Sequence, residues 1–297
     1  MDTDFIETFI AVAEHGSIAE AARRLNLTSA AVTQRVRVLE DDIGARLLVR
    51  AGRTVRPTDS GIAILERARN FLKDARDLRS IAATGKPAGQ LRLGAVQTVL
   101  TGLFPGILKR MGEKYPQIEI VIMRAGSADL YGKVLAGELD LALIAHPPFA
   151  VPKVCDWRVL RNEPLIMLTP PSVKSRDPRV VLASEPFIRQ DRKSWAGRII
   201  DVYLRKTGIQ PKEHFELDGY ESIVVMVGQG LGVALVHEWA PPWPEGLSLR
   251  RTRVGGDPFR RRVVALWSRA TVRIGLVTLF LEEADRALTL RKARISG

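Results

Sequence analysis

Ser17–Ile43 reads SIAEAARRLNLTSAAVTQRVRVLEDDI, and its spacing decides the fold of the first part of the chain. Ile18, Ala21, Ala22 and Leu25 recur at helical intervals, with the Ser17 hydroxyl placed to cap the first turn. Asn26-Leu27-Thr28 interrupts the pattern, because Asn and Thr side chains bond nearby backbone amides and Thr28 can cap a second helix. In that second helix Val32, Val36, Leu39 and Ile43 form one apolar face, while Ser29, Ala30, Thr33, Gln34 and Arg37 lie mostly opposite. A slim, polar and basic helix face suits the major groove of DNA. On these residues alone, a helical hairpin whose polar face meets water fits equally well.

The flanking segments tilt that balance. Thr3–Glu14 carries a broad apolar stripe of Phe5, Ile6, Phe9, Ile10, Val12 and Ala13, enough for a third helix to close a small core, and Gly16 suits a left-handed helix stop. After Gly44, the segments 45–50 and 54–57 read as two short strands around Ala51-Gly52-Arg53, a hairpin studded with Arg46, Arg50, Arg53 and Arg56. A basic hairpin directly after two such helices can lay arginines along phosphates or into a neighbouring minor groove. Thr58-Asp59-Ser60 then opens a long helix to about residue 83, in which Ile64, Ala68, Phe71, Ala75, Leu78 and Ala82 alternate at four and three residues. That is a heptad seam, read here as a dimerisation rod.

Residues 84–89, TGKPAG, form a linker, and beyond them the period changes. Strands are expected at 91–95, 118–122 and 139–144, with helices at 102–114 and 129–136 between them; alternation resumes from 164 to 236 and ends with a helix from about 271 to 290. Short strands are expected at 180–182 and 187–190. Such alternation implies parallel crossovers and a covered sheet. The division expected is residues 1–58 for DNA binding, 59–83 for the linker helix, 84–89 for a hinge and 90–297 for an α/β domain. Its first half takes about 90–160 and 269–297, its second about 161–268, with a cleft between.

Composition sets outer bounds. The 297 residues carry a formal net charge of +12, which suits a polyanionic partner, nucleic acid first and an anionic membrane surface second. The single cysteine, Cys155, excludes an intrachain disulfide and reads as a packed thiol. No apolar run reaches the roughly 20 residues of a membrane span, and MDTDFIETF lacks the basic and apolar regions of a signal peptide. A cytoplasmic protein is expected. His15, His146, His214 and His237 are scattered without metal-ligand spacing, and neither a nucleophile elbow nor a phosphate loop is present. Gly228-Gln229-Gly230-Leu231-Gly232 comes after a helix and leads into a strand, the reverse of a dinucleotide fingerprint. No enzyme and no cofactor is expected.

The order of parts resembles the LysR-type transcriptional regulators along essentially the whole chain. The resemblance is carried by residues 9–17 (FIAVAEHGS), 21–25 (AARRL), 31–40 (AVTQRVRVLE), 44–50 (GARLLVR) and 58–61 (TDSG), and downstream by 137–142 (GELDLA) and 227–234 (VGQGLGVA). It implies a winged helix-turn-helix, a homodimer through the linker helix, usually a homotetramer, and a periplasmic-binding-protein-like effector domain whose cleft takes a small-molecule co-inducer of unknown identity. Double-stranded DNA at a promoter and RNA polymerase are the implied macromolecular partners. The family often shows Gln-Pro and then Ser-Arg on the recognition helix, where this chain has Ser29-Ala30 and Thr33-Gln34.

By position Ser29, Ala30, Thr33, Gln34 and Arg37 should face base edges, with Arg50, Arg53 and Arg56 of the wing on the backbone or minor groove. Gln34 could read adenine with both amide atoms, and Ala30 could touch a thymine methyl. The resemblance implies effector contacts from Gln97, Thr98, Gly126, Ser127 and His146, with Gln190 and Asp191 across the cleft; Thr98 and Ser127 are the stronger candidates, and a hydrogen-bonded structural role for His146 outweighs contact. An acidic group in the cleft would favour an amino-bearing effector. A general DNA-binding or architectural protein, indifferent to effectors, shares the charge and fold and is the alternative reading.

Overall fold

The structure, a computed structural model, describes residues 2–52, 54–84 and 87–296, with no side-chain description at 73, 76–84 and 291–296. Arg53 of the expected wing, residues 85–86 of the hinge, and the Leu78 and Ala82 side chains of the expected seam lie outside the described residues. The chain divides into two units at Gln90/Leu91.

In the first unit each helix starts on a side-chain cap. Asp2 accepts from the Asp4 amide to open α1 (Thr3–His15), Ser17 from Glu20 to open α2 (Ile18–Arg24), and Thr28 from Ala31 to open α3 (Ser29–Ile43). Gly16 and Gly44 close α1 and α3 with positive φ. Phe9, Val12, Ala21, Val32, Leu39 and Leu47 are buried between these helices; each large side chain among them contributes about 1.5–3 kcal/mol. Ile43 departs from the apolar face expected for it and is 37% exposed. The wing is an antiparallel pair, β1 (Leu48–Ala51) with β2 (Thr54–Pro57).

The long helix α4 (Asp59–Thr84) starts where Thr58 accepts from the Gly61 amide and donates to the Arg46 carbonyl. Gly61 permits the approach, since a Cβ there would stand 2.2 Å from the Leu47 carbonyl oxygen. Ile64, Leu65, Ala68 and Leu72 pack on the Ile6–Phe9–Leu39 core, and Phe71 is left 43% exposed. The first half of the expected seam thus partly serves its own domain. Four-three spacing specifies that a stripe is covered but not by which partner.

The second unit holds two five-stranded sheets. The first has the order β4 (Ile118–Arg124), β3 (Gly89–Ala95), β5 (Leu141–Ala145), β12 (Arg261–Ser268), β6 (Cys155–Glu163); the second has β11 (Arg250–Arg253), β7 (Leu165–Thr169), β10 (Val233–His237), β8 (Pro186–Gln190), β9 (Lys212–Leu217). The central strands LALIA, LIMLT and VALVH are buried at every position, as strands covered on both faces must be. Around them pack α5 (Gln97–Gly102), α6 (Phe104–Lys114), α7 (Ser127–Leu135), α8 (Pro178–Ser184), α9 (Trp195–Thr207), α10 (Tyr220–Gly228) and α11 (Ile274–Ser296).

Several expectations are corrected. β12 belongs to the first sheet, antiparallel to both β5 and β6, so the crossings between halves fall at 163/164 and 260/261 rather than near 160 and 268. The sheets are mixed rather than parallel, since β7 runs antiparallel to β10 and β11. Residues 180–182 lie in α8, whose start is set by the Asp177 cap and Pro178; a three-residue apolar run does not distinguish helix from strand. The helix expected at 102–114 is preceded by a separate turn of helix, α5. Among the described residues no helix is long and apolar enough to cross a membrane. Cys155 is buried, and burial raises its thiol pKa.

Candidate functional site

On α3, Ser29, Ala30, Thr33, Gln34 and Arg37 are all exposed, opposite buried Val32, Val36 and Leu39. The Thr33 hydroxyl donates to the Ser29 carbonyl at 2.8 Å, so its donor is spent within the helix. Arg35, by contrast, is half-buried, pairing with Asp4 at 3.6 Å and lying 5.9 Å from the centre of the Phe5 ring. It ties α3 to α1.

Glu40 fixes the wing to this helix. It is 6% exposed, and one carboxylate oxygen accepts from the amides of Leu47 at 2.7 Å and Leu48 at 3.1 Å while the other accepts from Arg46 at 3.1 Å. Val49 stands opposite Arg56 and Arg50 opposite Val55, so the two arginines occupy different faces of the ribbon. Both are exposed.

The second unit has a cavity of about 330 Å³ between its two sheets, lined by Val96, Gln97 and Thr98 after β3, Arg124 to Ser127 after β4, Ala145 at the end of β5, and Gln190 and Asp191 after β8. Asp129, Ser194 to Ala196, Asp218, Tyr220 and Arg261 complete the lining. The carboxyl ends of strands and the starts of α5, α7, α9 and α10 meet here, the usual location of ligands in open α/β sheets. The sequence-predicted residues Gln97, Thr98, Gly126, Ser127 and Gln190 therefore share one cavity.

His146 does not line it. As the residue after Ala145 it bonds Pro147 O through Nδ1 at 2.7 Å and packs edge-on against Trp157 at 4.5 Å, and burial lowers its pKa. The expected effector contact from His146 is corrected to this packing role. Alternation along a strand sends successive residues to opposite faces.

The polar atoms of the cavity are largely engaged with one another. Ser127 Oγ accepts from the Ala145 amide at 3.2 Å, Gln97 Oε1 accepts from Arg124 at 3.2 Å, and Ser194 Oγ accepts from the Gly197 amide at 2.9 Å while donating to the Asp191 carbonyl at 2.7 Å. A Cβ on Gly197 would stand 2.0 Å from the Asp191 carbonyl oxygen, so only glycine lets α9 start this close to the loop.

At the base of the cavity Arg261, 3% exposed, donates through Nε to Glu163 Oε2 at 2.7 Å and through its terminal nitrogen to the same oxygen and to Thr98 Oγ1 at 3.0 Å. Its guanidinium lies 4.8 Å from the centre of the Tyr220 ring. Burial acts most strongly, to lower the Arg261 pKa, but the Glu163 charge, the Tyr220 hydroxyl and the Glu163 hydrogen bond together outweigh it and the net direction is upward. The Tyr220 hydroxyl meets His237 Nδ1 at 3.2 Å. Burial, then the Arg261 charge, holds His237 well below the usual histidine range, and burial raises the Tyr220 pKa.

Comparison with known proteins bears on both units. Residues 3–62 match the family model described as "Bacterial regulatory helix-turn-helix protein, lysR family", and residues 84–289 match "LysR substrate binding domain". The transcriptional regulator IlvY of Escherichia coli K12 is 30% identical over 250 residues, covering 80% of this chain and 82% of the relative. This chain belongs to the LysR family of transcriptional regulators. Solved LysR-family folds superpose along nearly its whole length. Full-length CbnR in complex with its target DNA gives a TM-score of 0.64 at 22% identity, over 97% of this regulator and 100% of that chain. The OxyR C206 mutant of Corynebacterium glutamicum gives 0.63 at 22%, over 98% and 94%.

For this LysR-type regulator, sequence reasoning missed Arg261, Tyr220, Trp195 and Asp218 as cleft residues, and Glu163 as the buried partner of Arg261. Arg260-Arg261-Arg262 looks like a solvated basic run, yet its middle member alternates inward among buried Val263 and Ala265. Period-two alternation was the available signal. The Arg189–Arg192 segment likewise reads as solvated charge in the sequence, whereas Arg189 is buried and paired with Asp201 and Glu213.

Proposed function

We propose that this LysR-type regulator reads promoter DNA through the exposed face of α3 and the wing, and is switched by a small molecule held in the cavity between its two sheets. Ser29, Ala30, Gln34 and Arg37 take the base-edge positions, with Gln34 suited to adenine and the Thr33 methyl turned to apolar contact with thymine. Arg50 and Arg56, joined in sequence by Arg53, supply phosphate contacts that carry affinity without sequence information. The single observation that carries the effector half of the reading is the gathering of Gln97, Thr98, Gly126, Ser127 and Gln190, far apart in sequence, on one cavity at the carboxyl ends of the strands.

Two dimers formed through α4 hold two sites on one duplex, and closure of the cleft changes their relative placement, the DNA bend and the contact with RNA polymerase. An effector accomplishes this only through unequal affinity for the two arrangements. The protein acts in the cytoplasm and catalyses no reaction; its chemistry is recognition. Genomic-fragment selection with the full chain at near-physiological salt, then footprinting, tests this: a compact protected site beside a promoter is expected. Diffuse, salt-sensitive protection with no enriched site would instead assign general DNA binding.

A further inference from the structure

The charges of the cavity select among possible effectors, on the proposal that this cavity is the effector site. Asp129, Asp191 and Asp218 line it, against Arg124 and Arg261. Arg261 presents a ligand with a reduced charge, because Glu163, itself 2% exposed and shared with Arg161 at 3.4 Å, pairs with it from below and Thr98 takes a further donor. The lining is thus acidic on balance.

Three of the four helix starts that converge here are already served; α5 alone has neither a side-chain cap nor an acidic residue in its first turn. Asp129 lies in the first turn of α7, Glu221 in that of α10, and Ser194 caps α9. Each places an acceptor or a negative charge where an anionic ligand would otherwise be drawn.

A separate observation asks for a donor. Gln190, 3% exposed and on the cavity wall, has an Oε1 that is buried without a hydrogen-bond partner. A buried acceptor left unpaired is costly, and a ligand N–H relieves that cost. Beside it stands Trp195, 6% exposed, its indole held edge-on by Tyr131 at 5.9 Å and Phe149 at 5.6 Å. An ordered indole next to carboxylates favours a cation over an anion.

We infer that the cleft takes a small cationic amine: an ammonium or guanidinium group donates to Gln190 Oε1 and faces Asp191 and Asp218, with the alkyl or aryl part against Trp195. A cavity of about 330 Å³ lies at the small end of ligand sites.

Calorimetric titration of the full-length protein with putrescine, agmatine and tyramine, against glutarate and benzoate, tests the class. At least one amine binds saturably, neither acid does, and Asp191→Asn or Asp218→Asn weakens the amine roughly 10-fold to 100-fold, the loss of one charge-assisted hydrogen bond. Ser127→Trp, which fills the cavity, abolishes binding. If an acid binds and no amine does, with Ser127→Trp abolishing it, the amine class is overturned and the cleft reading stands. If an amine binds with undiminished affinity to the two asparagine variants and to Ser127→Trp, its placement in the cleft is overturned. No saturable binding of any of the three amines overturns the inference outright.

Discussion

Glu163→Gln isolates the buried ion pair beneath the cleft. The substitution keeps shape and one acceptor oxygen but removes the charge that neutralises Arg261, whose side chain is 4% exposed against 2% for Glu163. Solvent cannot replace the lost carboxylate at that depth. The Thr98 hydroxyl and the face of Tyr220, both neutral, remain around the guanidinium, and Arg161, 3.4 Å from the other Glu163 oxygen, loses its partner as well. Removing one partner of a buried pair costs about 3–5 kcal/mol; the retained amide oxygen places this variant at the lower end, about 3 kcal/mol. For a domain of this size that lowers the melting temperature by roughly 6–12 °C. The double variant Glu163→Gln with Arg261→Met removes the stranded charge as well, so it should melt higher than Glu163→Gln alone. Calorimetry of the full chain, tracking the transition of the second unit, gives both numbers. A Glu163→Gln transition within about 1 °C of the parent would refute the argument. So would a double variant whose loss equals or exceeds the sum of the two single losses, because the coupling would then be absent.

Other perturbations read other parts of the molecule. Glu40→Ala strands the Leu47 and Leu48 amides at the root of the wing, so the first unit should lose about 2–4 kcal/mol in denaturant unfolding; an unchanged midpoint would remove Glu40 as the latch. Gln34→Ala should lower affinity for the selected site by about 1–3 kcal/mol and leave random DNA unaffected. Arg56→Ala should weaken both alike and reduce the salt slope by about 1; equal effects from the two variants on both DNAs would dissolve that division. His237 is held neutral, its pKa well below the ordinary 6.5. The unfolded chain therefore takes up the proton first, and the stability contributed above about pH 6.5 is lost as pH falls toward the folded value. His237→Gln should flatten the decline in urea midpoint between about pH 6.5 and pH 5; parallel slopes would exclude His237 as its source. Gly197→Ala drives a methyl into the Asp191 carbonyl and should destabilise the second unit by about 1–3 kcal/mol, visible in the same unfolding curves; an unperturbed midpoint would show that the loop yields freely.

The first unit was readable almost residue by residue because its determinants are local. Ser17, Thr28 and Thr58 each satisfy an amide three residues ahead, and Gly16 and Gly44 stop helices by a conformation that depends on one residue. The second unit was readable as elements but not as an assembly. The apolar run of β12 is equally compatible with either sheet, and its pairing with β5 and β6 joins residues about a hundred or more positions apart. Position within the family pattern brought Gln97, Thr98, Gly126, Ser127 and Gln190 to one cavity, since each lies at the end of a strand or the start of a helix. It did not bring His146 to that cavity, where one step of strand alternation decides the face, nor does it tell that the Thr33 hydroxyl, on the exposed face of α3, turns back onto its own helix.

Arg261 shows why the chemistry of the cleft is less accessible than its location. It stands directly after the second crossing between halves, and Glu163 directly before the first, so their pairing is a consequence of the β6–β12 register. From that point Arg261 reaches Thr98 in the first half and Tyr220 in the second. A relative movement of the halves must alter at least one of those contacts, because the guanidinium is anchored to Glu163 and cannot track both. A ligand lying against Thr98 and Tyr220 thereby biases the same equilibrium that the ion pair sets, and the bias equals its difference in affinity for the two arrangements. The pair therefore does more than neutralise a buried charge: it ties the two crossings between the halves to the lining of the cavity proposed for the effector.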